Sequence, residues 1–255
     1  MLAAERRNLI LEKLQEEKKV VVSELSQQFK VSEETIRRDL EKLDKEGLAV
    51  KSYGGAVLNE NTNLDMPFNI RKKNNPEGKQ KIARIVEGLI GEGEHIILDP
   101  STTSVFVAKA LKSKEHLTVI TNSIEVILEL SDVPDWTILS SGGTLQEGYL
   151  ALVGPRAVEG LGEYNVEWTI ISCKGIDLEK GITDGNALFT QAKQTMLQSA
   201  QKSILAVDHT KFDRIAFSKI CEIRDIDILV TDERPSDQWM EIFSRNDITC
   251  LYPEN

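Results

Sequence analysis

Two groups of residues in this 255-residue chain have the types and spacing to do chemistry, and both suit anionic partners. The first lies in residues 31–43, VSEETIRRDLEKL. Arg37 and Arg38 come just past a helix start, where guanidinium groups can reach guanine edges or phosphates of a DNA duplex. Ser32 and Thr35 stand near the same start with hydroxyls suited to phosphates, and Lys42 shares the polar side. A charged, solvated helix is the plainer account of that pattern taken alone. The second group follows a set of short apolar runs, each ending in polar residues. Asp99, Ser101, Thr102 and Thr103 open a helix with hydroxyls and free backbone N–H groups, which either receive a phosphate or carboxylate or only cap the helix. Asn122 repeats the arrangement after the next run. Gly143, with Gly142, permits a tight turn and a close backbone approach. Lys174 and Lys211 place ammonium groups at two further run ends, and Lys193 has the spacing of an ordinary surface lysine. No Walker loop and no G-x-G-x-x-G is present, so nucleotide chemistry is not indicated.

The elements that must position these residues follow from periodicity. In 31–43, Ser32 is placed to cap a helix, Glu33 and Glu34 face its positive end, and Ile36, Leu40 and Leu43 recur on one face. Gly47 ends it. Before it come a helix over 1–18 with Ile10, Leu11 and Leu14 as core positions, a short β-branched run at 19–22, and a second helix carrying Leu25 and Phe29. After it, 48–52 and 56–58 flank Tyr53-Gly54-Gly55 as a hairpin, on which Lys51 and Tyr53 can touch flanking DNA backbone. Three helices and a hairpin predict a winged helix-turn-helix over residues 1–58. Residues 59–76, polar and holding Pro67 and Pro76, read as a linker, and its basic run at 71–73 as solvated charge.

Residues 77–255 read as an α/β domain with a mainly parallel sheet. Apolar runs at 95–99, 117–122, 136–141, 166–173, 203–208, 226–232 and 248–252 are the expected strands. Helical patterns at 82–90, 105–112, 124–130 and 187–200 lie between several of them. In such sheets ligands bind beyond the carboxyl ends of the strands, which is where the second group of polar residues falls.

Charge is divided unevenly. Of a net −10, residues 1–79 contribute +1 and the remainder −11, a division that permits sequence-specific DNA binding by the smaller part without requiring it. No apolar run reaches the roughly 18–20 residues of a membrane span, and the N-terminal segment lacks a signal-peptide pattern. Cys173, Cys221 and Cys250 are scattered, as are the three histidines, so no disulfide framework and no metal site is expected. A cytoplasmic protein without a cofactor is the expectation.

The run Ser32-x-x-Thr35-Ile36-Arg37-Arg38-Asp39-Leu40 followed by a glycine-glycine hairpin resembles the N-terminal domain of the DeoR family of bacterial transcriptional regulators. ILDPSTTSVFVAKAL, TVITNSIEV, SSGGTL, LVGPRAVEGL, SCKGIDLEKGITDGN and AVDHTKFDR likewise resemble that family's C-terminal domain, which is similar to ribose-5-phosphate isomerase. The resemblance implies a regulator, usually a repressor, of a carbohydrate-metabolism operon. It would bind a double-stranded DNA operator as a homo-oligomer, a dimer or tetramer, and respond to a phosphorylated sugar or related anion. It implies effector roles for Asp99, Ser101, Thr102, Thr103, Asn122, Lys174, Lys193 and Lys211. Three features depart from the usual pattern: Ser101 where many members have glycine, SCKG in place of a commoner motif, and no Glu-Ala pair near Phe189 and Thr190. The SCKG variant implies a subgroup with a different effector, Ser101 an altered turn, and the missing Glu-Ala pair a changed effector response. The alternative, an isomerase-like enzyme carrying a DNA-binding module, needs a carboxylate such as Asp99, Asp177 or Asp208 paired with an acid–base partner, and nothing in the sequence supplies one.

Overall fold

Ile10, Leu11 and Leu14 repeat on one side of the first helix, α1 (Ala3–Glu17), and seat it in the core of an N-terminal unit. The computed structural model describes residues 1–59, 66–146 and 148–254. The chain divides into two compact units, Met1–Arg71 and Lys72–Asn255. In the first, α1 is followed by β1 (Lys19–Val21), α2 (Val22–Phe29), α3 (Glu33–Lys45), β2 (Ala49–Ser52) and β3 (Gly55–Leu58). Leu25 of α2 and Ile36, Leu40 and Leu43 of α3 meet the α1 residues in one core. Each such buried side chain contributes about 1.5–3 kcal/mol.

The ends of α3 are chemically specified. The Ser32 hydroxyl accepts from Thr35 N at 3.2 Å. At the other end Gly47 adopts φ +70°, Leu48 N donates to Leu43 O at 2.8 Å and Gly47 N to Asp44 O at 2.9 Å. These are the paired bonds of a glycine-terminated helix. β2 and β3 then pair antiparallel across Tyr53-Gly54, with Gly54 at φ +80° as a tight two-residue turn demands, and β3 also pairs with β1. Three helices and this three-stranded sheet make a winged helix-turn-helix.

Gly55 serves a different need from Gly54. A Cβ there would collide with the carbonyl of Val20 on β1. Gly55→Ala is expected to destabilise the N-terminal unit by about 1–3 kcal/mol, read as a lower denaturant midpoint for that unit together with weaker DNA binding.

Part of the stretch expected as linker is ordered. α4 (Phe68–Lys73) buries Phe68 and Ile70, and Ile70 joins the N-terminal core. Arg71 donates to the Met66 carbonyl at 3.0 Å and lies over the Phe68 ring, while Lys72 pairs with Glu125 at 2.8 Å. The prolines and charges obscured two apolar residues, Phe68 and Ile70, that find a core. Residues 60–65 of that stretch lie outside the described residues.

The second unit begins with α5 (Pro76–Leu89), capped by Asn75, whose side chain accepts from Gly78 N. Then come β4 (His95–Leu98), α6 (Thr102–Leu111), β5 (Thr118–Thr121), α7 (Ile124–Leu130) and β6 (Thr137–Ser140). A hairpin follows, β7 (Thr144–Gln146) and β8 (Ala151–Val153), and then α8 (Pro155–Gly162) and β9 (Val166–Ile171). The remainder is β10 (Gly175–Asp177), β11 (Gly181–Asp184), α9 (Ala187–Gln198), β12 (Ala200–Ala206), β13 (Ser218–Cys221), β14 (Ile228–Val230), α10 (Asp237–Arg245) and β15 (Thr249–Leu251). All seven runs expected as strands form one sheet in the order β15-β14-β12-β9-β4-β5-β6, and every pairing in it is parallel. β10, β11 and β13 make a separate antiparallel sheet.

Chain order in the large sheet reverses beside β4. From β4 the chain steps outward to β5 and β6, then returns to build β9, β12, β14 and β15 on the other side. The β4/β9 boundary is therefore the switch point, beyond whose carboxyl ends a crevice opens in such sheets.

Candidate DNA interface and strand-end anion site

On α3 the apolar stripe is turned inward, leaving Arg37, Arg38 and Lys42 exposed. Each has an acidic neighbour one turn away: Arg37 with Glu33 at 2.6 Å, Arg38 with Glu34 at 3.4 Å and Lys42 with Glu46 at 3.9 Å. Exposed i,i+4 pairs contribute only about 0.3–0.5 kcal/mol, so a phosphate or guanine edge can replace them. Arg38 is the least encumbered, its side chain 76% exposed. Ser32 Oγ and Thr35 Oγ1 lie 2.9 Å apart at the helix N-terminus. On the hairpin Tyr53 is fully exposed, and Lys51 bonds Glu41 at 2.9 Å, which lowers the Glu41 pKa.

Asp39, inside the arginine motif, faces the other way. It is buried and bonded to Arg6 Nε at 2.5 Å, with Arg7 at 3.6 Å, and so ties α1 to α3. Sequence reasoning did not assign it this role. The signal was there: position 39 falls between Ile36 and Leu40 and Leu43 on the apolar stripe, so an acid at that place had to be buried and paired.

In the second unit the strand-end residues gather along the carboxyl edge of the parallel sheet, and the switch point is held by one carboxylate. Asp99, fully buried, accepts from Ser101 N at 3.1 Å and Ser104 Oγ at 2.5 Å through Oδ1. Its Oδ2 accepts from Ser172 N at 2.9 Å, at the end of β9, and lies 3.2 Å from Lys193 Nζ. Ser101 caps α6 through Ser104 N, and Thr102 and Thr103 are buried in its first turn.

Lys193 is buried, not a surface lysine. Its Nζ meets Asp184 Oδ2 at 2.5 Å and the Ser172 carbonyl at 2.7 Å. Burial works against its charge, but Asp184 and Asp99 outweigh that and raise its pKa, while Asp184 is lowered although burial opposes its charge too. Phe189, Ala192, Lys193 and Met196 are all buried on α9. That 189–193–196 spacing is the sequence signal that this lysine points into a core.

Lys174 lies just beyond Ser172. Burial pushes its pKa down to about 8, against the pull of Asp184 and with help from Lys193 and Lys211. Its Nζ stands 5.8 Å from the centre of the Tyr149 ring. Lys211 follows β12 in a short helical turn, His209–Lys211, with its Nζ 3.1 Å from Thr210 Oγ1 and 3.8 Å from Asp208.

Asn122 and Gly143 sit at the ends of β5 and β6, on the other side of β4. Asn122 Nδ2 donates to the Leu152 carbonyl at 2.9 Å, and among the described residues its buried Oδ1 has no hydrogen-bond donor. Gly143, at φ +115°, leaves no room for a Cβ against Val153 and Ala157. Among the described residues His209, Asp232 and Glu233 bring possible ligand atoms within 4.8 Å of one another. No helix of the described chain is long and apolar enough to cross a membrane.

A winged helix-turn-helix that exposes arginines, joined to a parallel α/β unit with polar strand ends, defines a DNA-binding regulator with a sensor domain. Residues 6–62 match the model of the DeoR-like helix-turn-helix domain, and residues 74–233 that of the DeoR C terminal sensor domain. The chain is 40% identical to the HTH-type transcriptional regulator YulB of Bacillus subtilis (strain 168), over 91% of this chain and 90% of that protein. It is 34% identical to the HTH-type transcriptional repressor GlcR of the same organism, over 100% and 98%. The chain belongs to the DeoR family of transcriptional regulators. It is a regulator and not an isomerase-like enzyme. It is also 29% identical to the Glycerol-3-phosphate regulon repressor of Escherichia coli (strain K12), over 97% of this chain and 98% of that one. Among solved structures, ribose 5-phosphate isomerase A from Methanocaldococcus jannaschii overlays 54% of this chain and 55% of its own, with a TM-score of 0.40 and 16% identity.

Proposed function

We propose that this regulator represses a carbohydrate-metabolism operon and is released or engaged by a phosphorylated sugar bound at the strand-end site. One observation carries the reading. Lys174 and Lys211 bring ammonium groups to the carboxyl edge of the sheet beside Lys193, which is bonded to Asp184 and lies against Asp99. Asp99 and Lys193 then build the floor, and Ser101, Thr102 and Thr103 supply the α6 N-terminus to a phosphate. Asn122 and Gly143 line the side toward β6, where the Asn122 Oδ1 is an acceptor for a sugar hydroxyl. Relatives named as a repressor of the aga operon and of the glycerol-3-phosphate regulon support the carbohydrate assignment. Ser32, Thr35, Arg37, Arg38, Lys42, Lys51 and Tyr53 form the operator face, and a homo-oligomer presents two such faces to paired half-sites in the cytoplasm.

A thermal-shift screen of phosphorylated and unphosphorylated sugars tests this. A raised melting temperature with phosphorylated sugars only, and altered affinity for operator DNA with the same compounds, is the expected result. A response to neutral sugars alone would remove the ammonium groups from the account.

The sensor is expected to be pH-dependent through Lys174. Below about 8 it is already charged in the free protein; above that value it must take up a proton to meet an anion, so affinity falls by up to about tenfold per pH unit. Calorimetry on both sides of that value in buffers of different ionisation enthalpy measures the proton. The free protein shows the opposite trend. An unfolded lysine holds its proton up to 10.5, so stability gains from Lys174 as pH rises from about 8 toward that value.

A further inference from the structure

The start of the sensor unit and the Lys211 segment converge on one buried carboxylate. Asp232 follows β14, and its Oδ2 accepts from Asn75 Nδ2 at 2.8 Å and from His209 Nδ1 at 2.9 Å. Its Oδ1 accepts from His209 N at 2.7 Å. Asn75 has a second task. It caps α5 in a left-handed backbone conformation, φ +46°, with Oδ1 accepting from Gly78 N at 3.1 Å. Gly78 must be glycine for this, because a Cβ would collide with the Asn75 amide and the Asp232 carboxylate. His209 opens the short helical turn that carries Lys211, and Glu233 Oε1 lies 3.6 Å from its ring nitrogen, with Asp208 adding negative charge nearby.

We propose that Asn75, Asp232 and His209 are positioning residues that link the anion-facing segment 208–211 to the first turn of α5, and through it to the chain leading into the DNA-binding unit. The inference rests on the strand-end effector reading for its biological use, but the link itself does not. Asp232 joins two groups that a shift of Lys211 would pull apart. His209 donates two hydrogen bonds to it, one from its backbone N–H and one from its ring, so a movement of the turn is felt at the carboxylate. Asn75 is the only one of the three that also holds a helix end, and it lies four residues beyond the boundary of the first unit.

Asn75→Asp tests this in the full chain, because aspartate still caps Gly78 N while turning the donor toward Asp232 into a second carboxylate. Two measurements are made. Without ligand, hydrogen exchange of the amides at 209–212 is expected to speed up in N75D relative to amides elsewhere in the sensor unit, whatever the change in melting temperature. Unchanged exchange there overturns the link, whatever the effector. With ribose 5-phosphate and glucose 6-phosphate as probes, calorimetry is expected to give wild-type ligand affinity. Fluorescence anisotropy on a duplex selected from random sequence by the wild-type chain is expected to show the ligand's effect on DNA affinity reduced by about fivefold or more. A ligand effect of wild-type size overturns the proposal. If neither probe binds the wild-type chain, it is the effector reading that fails, and the exchange measurement still decides the link. Should N75D fold poorly, His209→Ala, which keeps the backbone bond to Asp232 and loses the ring, is judged by the same two measurements.

Discussion

Lys193→Met is expected to destabilise the sensor unit by about 3–5 kcal/mol at neutral pH. Methionine fills the same volume, so the loss is electrostatic. It leaves Asp99 and Asp184 buried, with the Ser172 carbonyl, and with no cation between them. In the wild type Asp184 has a lowered pKa, so its pairing stabilises the fold above the ordinary carboxylate range and is lost as pH falls through the folded value. In the variant burial still favours the protonated form of Asp184, and of the groups that oppose it Lys174 and the Gly185 N–H remain while Lys193 is lost, so the deficit shrinks toward acid pH. Urea melts followed by far-UV circular dichroism at neutral and mildly acid pH measure both effects. Lys193→Met with Asp184→Asn should lose less than the sum of the single variants, because the second change removes a charge that the first leaves unpaired. A deficit under 1 kcal/mol, or strictly additive losses, would mean that the buried cluster does not hold the switch point together.

Arg38→Ala is expected to leave the fold unchanged and to remove roughly 1–3 kcal/mol of operator affinity per half-site, about fivefold to more than a hundredfold. The two effects separate because the Arg38 side chain is 76% exposed and its one acidic neighbour, Glu34, stands at 3.4 Å in water. Losing that pair costs the helix no more than about 0.5 kcal/mol. Arg38→Lys distinguishes the kinds of contact. If Arg38 grips a guanine with its fork, lysine keeps the salt dependence and loses sequence preference. If it meets a phosphate, lysine restores most of the affinity, and alanine lowers the salt slope by about one. Asp39→Asn gives the opposite profile from Arg38→Ala, with lost stability of the N-terminal unit, since Arg6 is left buried beside a neutral side chain.

How much was legible in the residues differs by element. The strands of the parallel sheet read well because each appears as a short apolar run between polar ends; the central β4, β5 and β9 are buried along most of their length, whereas the edge strands β6 and β15 are only partly covered. α3 read almost to the residue, because a serine cap, a 36–40–43 stripe and a terminal glycine all agree. The hairpin β7–β8 and the sheet β10-β11-β13 did not. TLQ in β7, GID in β10, GITD in β11 and SKIC in β13 form no continuous apolar run, and β11 finds β13 only across some thirty-five residues of intervening chain. α4 was obscured for a related reason, since two buried residues among prolines and charges carry little pattern.

The chemistry divides the same way. Sequence alone determined that one exposed face of α3 carries the arginines, and that hydroxyls, amides and ammonium groups collect at strand ends, because local spacing sets helix faces and parallel strands put their ends on one edge. Only the tertiary structure decided which charges are available and which are consumed. The spacing of Asp39 and Lys193 turns each toward a core, but each meets a partner elsewhere in the chain, Arg6 in one case and Asp99 with Asp184 in the other. Burial makes those pairings obligatory, and no local pattern names the partner. The arginines of α3 keep only exposed pairs with Glu33 and Glu34, whereas Asp39, between them and Leu40, is committed to Arg6.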